Sequence, residues 1–356
     1  MGSSFTAETT PNKLSSSEFA QSRSLWPVRP RPLPDELLSS WLVRLAHSHG
    51  LKVQTFCHLI FGRTLQVWNR DIDRLAPSWL LQELQHRTGA SLADVSKTTL
   101  RAYENHLYRK FRSAGVLPWI LNLQMYHRKR AGFGLQFCPR CLRNDRVPYF
   151  RKSWRIALNT VCPVHGNLLL DRCPNCGASI ALHRADMNGR AIDEQLLRCC
   201  HACGFELSNS DIEQPEFYDQ HCAALLAAAC TAVQSEDRQI GQWDLGRLDT
   251  LRHLCHILTS CYIHVQLRPF ILRELSVPDI SLTAGRLPIE MRSIRERHHL
   301  IQVAAWLFVD IRARITQAWY EGTVRQNILL KDFDHAPGWY RSIVEDLPNW
   351  RARLLR

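Results

Sequence analysis

The sequence predicts a mainly α protein with two small cysteine-built modules in its middle. Three observations lead there. Stretches on both sides of residues 136–210 space their apolar residues at helical intervals. Residues 136–206 hold paired Cys-x-x-Cys and Cys-x-x-His half-sites with short extended pieces ("NLLLDR", "FELS") and little helical period. The chain is 45% hydrophobic over 356 residues, enough for the cores of two or three domains. The expected organisation is a flexible leader (1–30), a helical N-terminal domain resembling a helix-turn-helix (31–135), a double metal-binding domain (136–210) and a helical C-terminal domain (211–356).

Residues 1–30 are Ser/Thr/Pro-rich and lack the apolar core of a signal peptide. Pro30, Pro32 and Pro34 stop any helix from running onward. Asp35 is an expected N-cap, followed by Leu37, Leu38, Trp41, Leu42 and Leu45 on one face, with Gly50 as the stop. A second helix, "VQTFCHLIF", is expected over 53–61. This pair resembles a helix-turn-helix, but the second helix offers a DNA groove little beyond Gln54, Thr55 and His58. A core hairpin or protein-binding surface is therefore the favoured expectation. Further helices are expected over 77–88, 98–112, 217–234, 245–265, 287–319 and 336–347. No apolar run approaches the roughly 20 residues of a membrane span, so no membrane partner is expected.

The chain has 13 cysteines, and a reduced compartment turns clustered Cys into metal sites rather than disulfides. The first set is Cys138, Cys141, Cys162 and His165, with 20 residues between its halves. The second is Cys173, Cys176, Cys200 and Cys203, with 23 between its halves. Both spacings suit the tetrahedral N/S coordination of Zn2+ in zinc-ribbon or treble-clef knuckles. Pro139, Pro163 and Pro174 follow a first ligand, and Gly166, Gly177 and Gly204 follow a second. In "RCCHAC", Cys199 and His201 are also possible donors, and Cys200 is preferred because it gives the x-x spacing to Cys203. Cys57, Cys222, Cys230, Cys255 and Cys261 lie in apolar helical patterns and are expected as small core residues. Four protein ligands close each site, so both zinc ions are expected to be structural. No H-x-E or H-E-x-x-H motif accompanies them.

Net charge is 45 − 33 = +12. Residues 101–155 carry 13 Lys/Arg against Glu104 and Asp145, which is +11 of it. So localised an excess points to an anionic partner, nucleic acid foremost. Arg128, Lys129, Arg130, Arg143, Arg146, Arg151, Lys152 and Arg155 are the expected phosphate contacts on a metal-stiffened knuckle. Among Tyr149, Phe150 and Trp154, at least one is expected to form the knuckle's own small core. Asp71, Asp73, Asp145 and Asp171 are the carboxylates a Mg2+-dependent nuclease or recombinase reading would use, though solvated turns and caps explain them more simply.

"FCPRCLRNDRVPYFRKSWRIALNTVCPVHGNLLLDRCPNCG" resembles the signature of the TniQ/TnsD family of transposition proteins: C-P-x-C-L, W-R, C-P-x-H-G, then D-R-C-P-x-C-G. Upstream, "DELLSSWLVRLAHSHGL" is similar to that family's E-x-L-S-S-W-L-x-R-L-A helix, and "WNRDIDRLAP" to the segment after it. The resemblance covers about 31–205. It implies a non-catalytic, target-selecting transposition protein, closer in length to TniQ-type members. It further implies DNA as a partner, recruitment of an AAA+ ATPase and through it the transposase, and, in some members, docking on a CRISPR RNA-guided complex or a homodimer. A cytoplasmic, nucleoid-associated bacterial location is implied with it.

Overall fold

Helices dominate the computed structural model, which describes residues 25–348 apart from 127, 128, 131, 190, 236–242 and 261–264. The expected leader over 1–30 therefore falls mostly outside the described residues, as does Cys261.

Helix α1 (Leu38–Ser48) buries every residue but Ser48, including its polar Ser39, Ser40, Arg44 and His47. It starts later than expected, with Leu37 as N-cap. Asp35 is occupied elsewhere: at φ +57°, its carbonyl accepts Lys152 N–H at 2.7 Å and its carboxylate accepts Ser153 N–H at 3.2 Å. Helix α2 (Val53–Phe61) follows after Gly50. A short α3 (Ile72–Leu75), α4 (Ser78–Thr88) and α5 (Leu92–Lys97) complete the N-terminal helical layer.

The helix expected over 98–112 is absent. Helix α5 ends where the Thr98 and Thr99 hydroxyls donate back to Val95 O and Ser96 O, and only a 3₁₀ turn (Leu100–Tyr103) follows. Asn105, at φ +63°, then turns the chain away.

Met125–Tyr126 (β1) and Lys129–Arg130 (β2) form a two-stranded antiparallel hairpin. The metal modules follow, with one short helix, α6 (Pro139–Asn144). The C-terminal helices are α7 (Gln220–Gln234), α8 (Leu245–Leu258), α9 (Leu267–Leu275), α10 (Ile294–Val309), α11 (Ile311–Tyr320), α12 (Gln326–Leu330) and α13 (Gly338–Glu345). The single helix expected over 287–319 is two. Ser293 opens α10 with a capping box to Glu296, and Asp310 breaks the run and caps α11 by accepting Ala313 N–H. Helix α9 is not among the helices expected from the sequence, although Leu267, Phe270 and Ile271 recur at helical spacing.

Helix α10 is the hub of the C-terminal layer, touching α7, α8, α9 and α11. Its Arg297 is fully buried, donating to Ala157 O at 3.0 Å and Gln136 Oε1 at 2.9 Å. Those acceptors belong to the cysteine region, so the helix is pinned to it. Burial pulls the Arg297 guanidinium down to about 10. Hydrophobic packing is continuous from Trp26 to Leu347, through both helical layers and both metal modules.

Candidate metal centres and basic surface

Each half-site is a local turn held by its own backbone hydrogen bonds. In three of them the same turn recurs. Gly166, Gly177 and Gly204 donate to the carbonyls of Cys162, Cys173 and Cys200 at 2.8, 2.9 and 2.9 Å. The cysteine N–H groups donate onward to Asn167 O, Ala178 O and Phe205 O. Closing that turn needs left-handed backbone at the glycine, and all three lie at φ +67° to +75°. The fourth half-site departs from this. Pro139 sits in the first turn of α6, so Cys138 and Cys141 ride on a helix start instead.

The halves meet as two compact donor sets. Cys138, Cys141, Cys162 and His165 form one, and Cys173, Cys176, Cys200 and Cys203 the other, with every donor atom within 4.8 Å of the rest of its set. Cys141–Cys162, Cys173–Cys203 and Cys176–Cys200 have sulfurs 3.7 Å apart. Two thiolates about 2.3 Å from one ion at the tetrahedral angle lie about 3.7–3.8 Å apart, so the residues fit a tetrahedral metal. His165 points Nδ1 at the sulfurs, 3.2 Å from Cys141 Sγ, and its Nε2 meets the Asn144 amide at 3.2 Å. The Asn144 nitrogen faces Nε2 here; with Nδ1 as ligand, Nε2 would carry the proton, and the flipped amide would accept it and orient the ring. Cys200 rather than Cys199 or His201 completes the second set.

The signature helix holds this region in place. Glu36, 1% exposed, accepts two hydrogen bonds from the Arg44 guanidinium, both at 2.8 Å, plus Ser40 Oγ and Leu33 N–H. Ser40 Oγ in turn accepts Phe150 N–H, while Leu37 N–H donates to Phe150 O. The other polar groups of "ELLSSWLVR" are also engaged. Ser39 binds the Asp73 carboxylate, and the Trp41 indole donates to Pro30 O.

The basic segment divides in two. Arg140, Arg143 and Arg146 are exposed, with Arg140 and Arg143 one turn apart on α6. Arg143 also donates to Ser208 O. Arg151 is half-buried, doubly bonded to Asp145 at 2.9 and 3.0 Å and stacked on Tyr149 and Trp154. Lys152 lies over the Tyr103 ring and 4.0 Å from Asp35. Arg155 corrects the sequence expectation outright. It is wholly buried, bonded to Asp71 Oδ2 at 2.6 Å, Asp73 Oδ2 at 3.1 Å and Leu121 O at 3.0 Å, so it cannot meet a phosphate. Arg128 lies outside the described residues, and for Lys129 and Arg130 the described part is their backbone in β2.

Tyr149, Phe150 and Trp154 are all buried, so the knuckle's small core takes the whole aromatic set. The carboxylates are likewise structural. Asp71 caps α3 and Asp171 accepts Ile294 N–H at the start of α10. Asp73 is buried rather than solvated. Burial, with Asp71 alongside and partly offset by Arg155, pushes its carboxyl up to about 6. The Arg155–Asp71–Asp73 network escapes a sequence reading because opposite charges distant in sequence look like two solvated sets. Arg140 escapes it too, although its place between the first two ligands is a signal.

Among the described residues no helix is long and apolar enough to cross a membrane. No curated protein matches the chain. Residues 27–169 match the TniQ family model, a span that takes in α1 with its Glu36–Arg44 pair, the Arg155 network and the complete first donor set. That match identifies a TniQ domain over residues 27–169, which is consistent with a transposition-associated adaptor.

Proposed function

We propose that this chain is a non-catalytic DNA-targeting adaptor of transposition, stapled by two structural zinc ions, which engages target DNA and recruits an AAA+ ATPase and through it the transposase. The observation that carries the reading is a four-donor set beside exposed arginines within the TniQ match, with a second four-donor set directly after it. Zinc is the ion that thiolate and imidazole donors at these spacings favour. With four protein donors an ion keeps no open position for water or substrate, which supports a structural role over a hydrolytic one. Zinc would be held by Cys138, Cys141, Cys162 and His165, and by Cys173, Cys176, Cys200 and Cys203.

Arg140, Arg143 and Arg146 are the residues offered to phosphate, with Arg128, Lys129 and Arg130 as further contacts. Arg151 and Lys152 contribute less, because Asp145 and Asp35 already lie against them. That internal neutralisation favours a second reading, in which the chain has no sequence preference of its own and takes its address from a partner such as a CRISPR RNA-guided complex.

Selection from a random duplex pool near physiological salt separates the two. An enriched motif establishes autonomous target reading. Retention without a motif establishes backbone binding and a partner-borne address. No retention at low salt refutes DNA engagement.

A further inference from the structure

The two donor sets match in spacing but not in exposure. At the first, Cys138, Cys141 and Cys162 are 0%, 2% and 1% exposed. At the second, Cys173 and Cys200 are buried while Cys176 and Cys203 are exposed. The described residues between Cys176 and Cys200 form a strap. Its two 3₁₀ segments, Leu182–Asn188 and Glu194–Arg198, pack on α1, and the first also packs on α2.

The strap serves α2 directly. Asp186, 1% exposed, accepts Val53 N–H at 2.6 Å and so satisfies the first donor of α2, and it faces His47 Nε2 at 3.4 Å. His183 stacks on Trp68 with ring centres 4.9 Å apart. Both strap ends are ligands of the second site, so a metal there closes the loop that presses Asp186 onto α2.

The geometry points to an oxidant-sensitive metal clasp: a hydroperoxide oxidises Cys176 and Cys203 to a disulfide, the second site loses its metal, and the strap loosens from α2 while the first site stays loaded. This rests on the zinc reading above. One exposed thiolate attacks the peroxide oxygen, giving a sulfenic acid and, with a proton, water from hydrogen peroxide or the alcohol of an organic hydroperoxide. The second thiolate attacks that sulfur, forming the S–S bond and expelling hydroxide, which a second proton converts to water. Two thiolates lose two electrons in all, the peroxide gains them, and Zn2+ leaves unreduced. Burial of the three first-site sulfurs denies the oxidant the same approach.

The test uses the full chain loaded with two zinc equivalents and titrated with hydrogen peroxide. A chromophoric chelator reads released zinc, and hydrogen exchange reads the first turn of α2. The expected result is release of one equivalent, reversed by a thiol reductant plus zinc, with exchange around Val53 about tenfold faster and peptides around Cys138 unchanged. Cys203→His keeps four donors but removes one oxidisable thiolate, and should hold its zinc through the same titration. Asp186→Asn should speed exchange at Val53 with both metals retained. Loss of both equivalents together, loss of one without a change at α2, or undiminished sensitivity of Cys203→His would overturn the clasp. A purified chain that binds no zinc would instead overturn the reading beneath it.

Discussion

Replacing Arg155 by Ala tests whether the W-R pair of the signature is structural. Arg155 is fully buried and bonds two carboxylates, one of which, Asp73, is 2% exposed. Removing the guanidinium leaves Asp73 without its cation in a site water does not reach. Breaking a buried pair in this way costs about 3–5 kcal/mol, a large share of the roughly 5–15 kcal/mol that holds a domain. The loss carries a pH signature. A carboxyl whose folded value is raised, here from 3.8 to about 6, is protonated in the fold before it is protonated in the unfolded chain. Arg155 lowers that value, so without it the carboxyl lies higher still: the extra penalty of the variant is small while Asp73 is protonated in both proteins, below about 6, and grows as pH rises above it. Urea unfolding of Arg155→Ala should show a larger deficit at pH 7.5 than near pH 5. Arg155→Met with Asp73→Asn, which removes both charges, should recover much of it. A deficit under about 1 kcal/mol at pH 7.5, or reduced duplex binding with stability intact, would refute the buried-network account and return Arg155 to the surface.

Three further outcomes follow from the same structure. Cys138→Ser should drop bound zinc from two equivalents to one and unfold the first module, since metal supplies on the order of 10 kcal/mol in small sites of this kind; metal analysis and circular dichroism read both. Gly177→Ala forces a side chain onto φ +71° at a knuckle and should cost about 1–2 kcal/mol, seen as a lower urea midpoint, although open space surrounds its Cβ position. His253 is buried against Phe333 with Nε2 bonding Leu329 O, and burial pulls it from 6.5 to about 4. The unfolded chain then takes up its proton first, so stability should fall as pH drops from 6.5 toward 4, and His253→Gln should flatten that slope in acid unfolding.

The sequence shows some of this plainly and hides the rest for physical reasons. Ligand pairs are legible because a knuckle is a local turn: two ligands three residues apart, followed in three of the four half-sites by a glycine, define it within five residues. Helices α2 and α4 are legible for the same reason, with apolar period and stops in one window. The helix expected over 98–112 fails because two threonines turn their hydroxyls back on the preceding carbonyls. The basic cluster is legible as a charge count but not as a surface. Its fate depends on Asp71 and Asp73, more than 80 positions away from Arg155. The strap over α2 is invisible for a like reason, since nothing local in "LHRADMN" says that Asp186 caps a helix begun 133 positions earlier.

The central claim is that exposed arginines on a zinc-stapled TniQ domain grip DNA. Its most direct test is duplex affinity across a salt series for the zinc-loaded chain and for the Arg140→Glu/Arg143→Glu/Arg146→Glu variant. The account predicts affinity that falls steeply with salt, a variant that binds all duplexes more weakly, and a salt slope flatter by about one for each phosphate that is no longer neutralised. Equal affinity and equal slope for the two proteins, with both zinc ions in place, would contradict it.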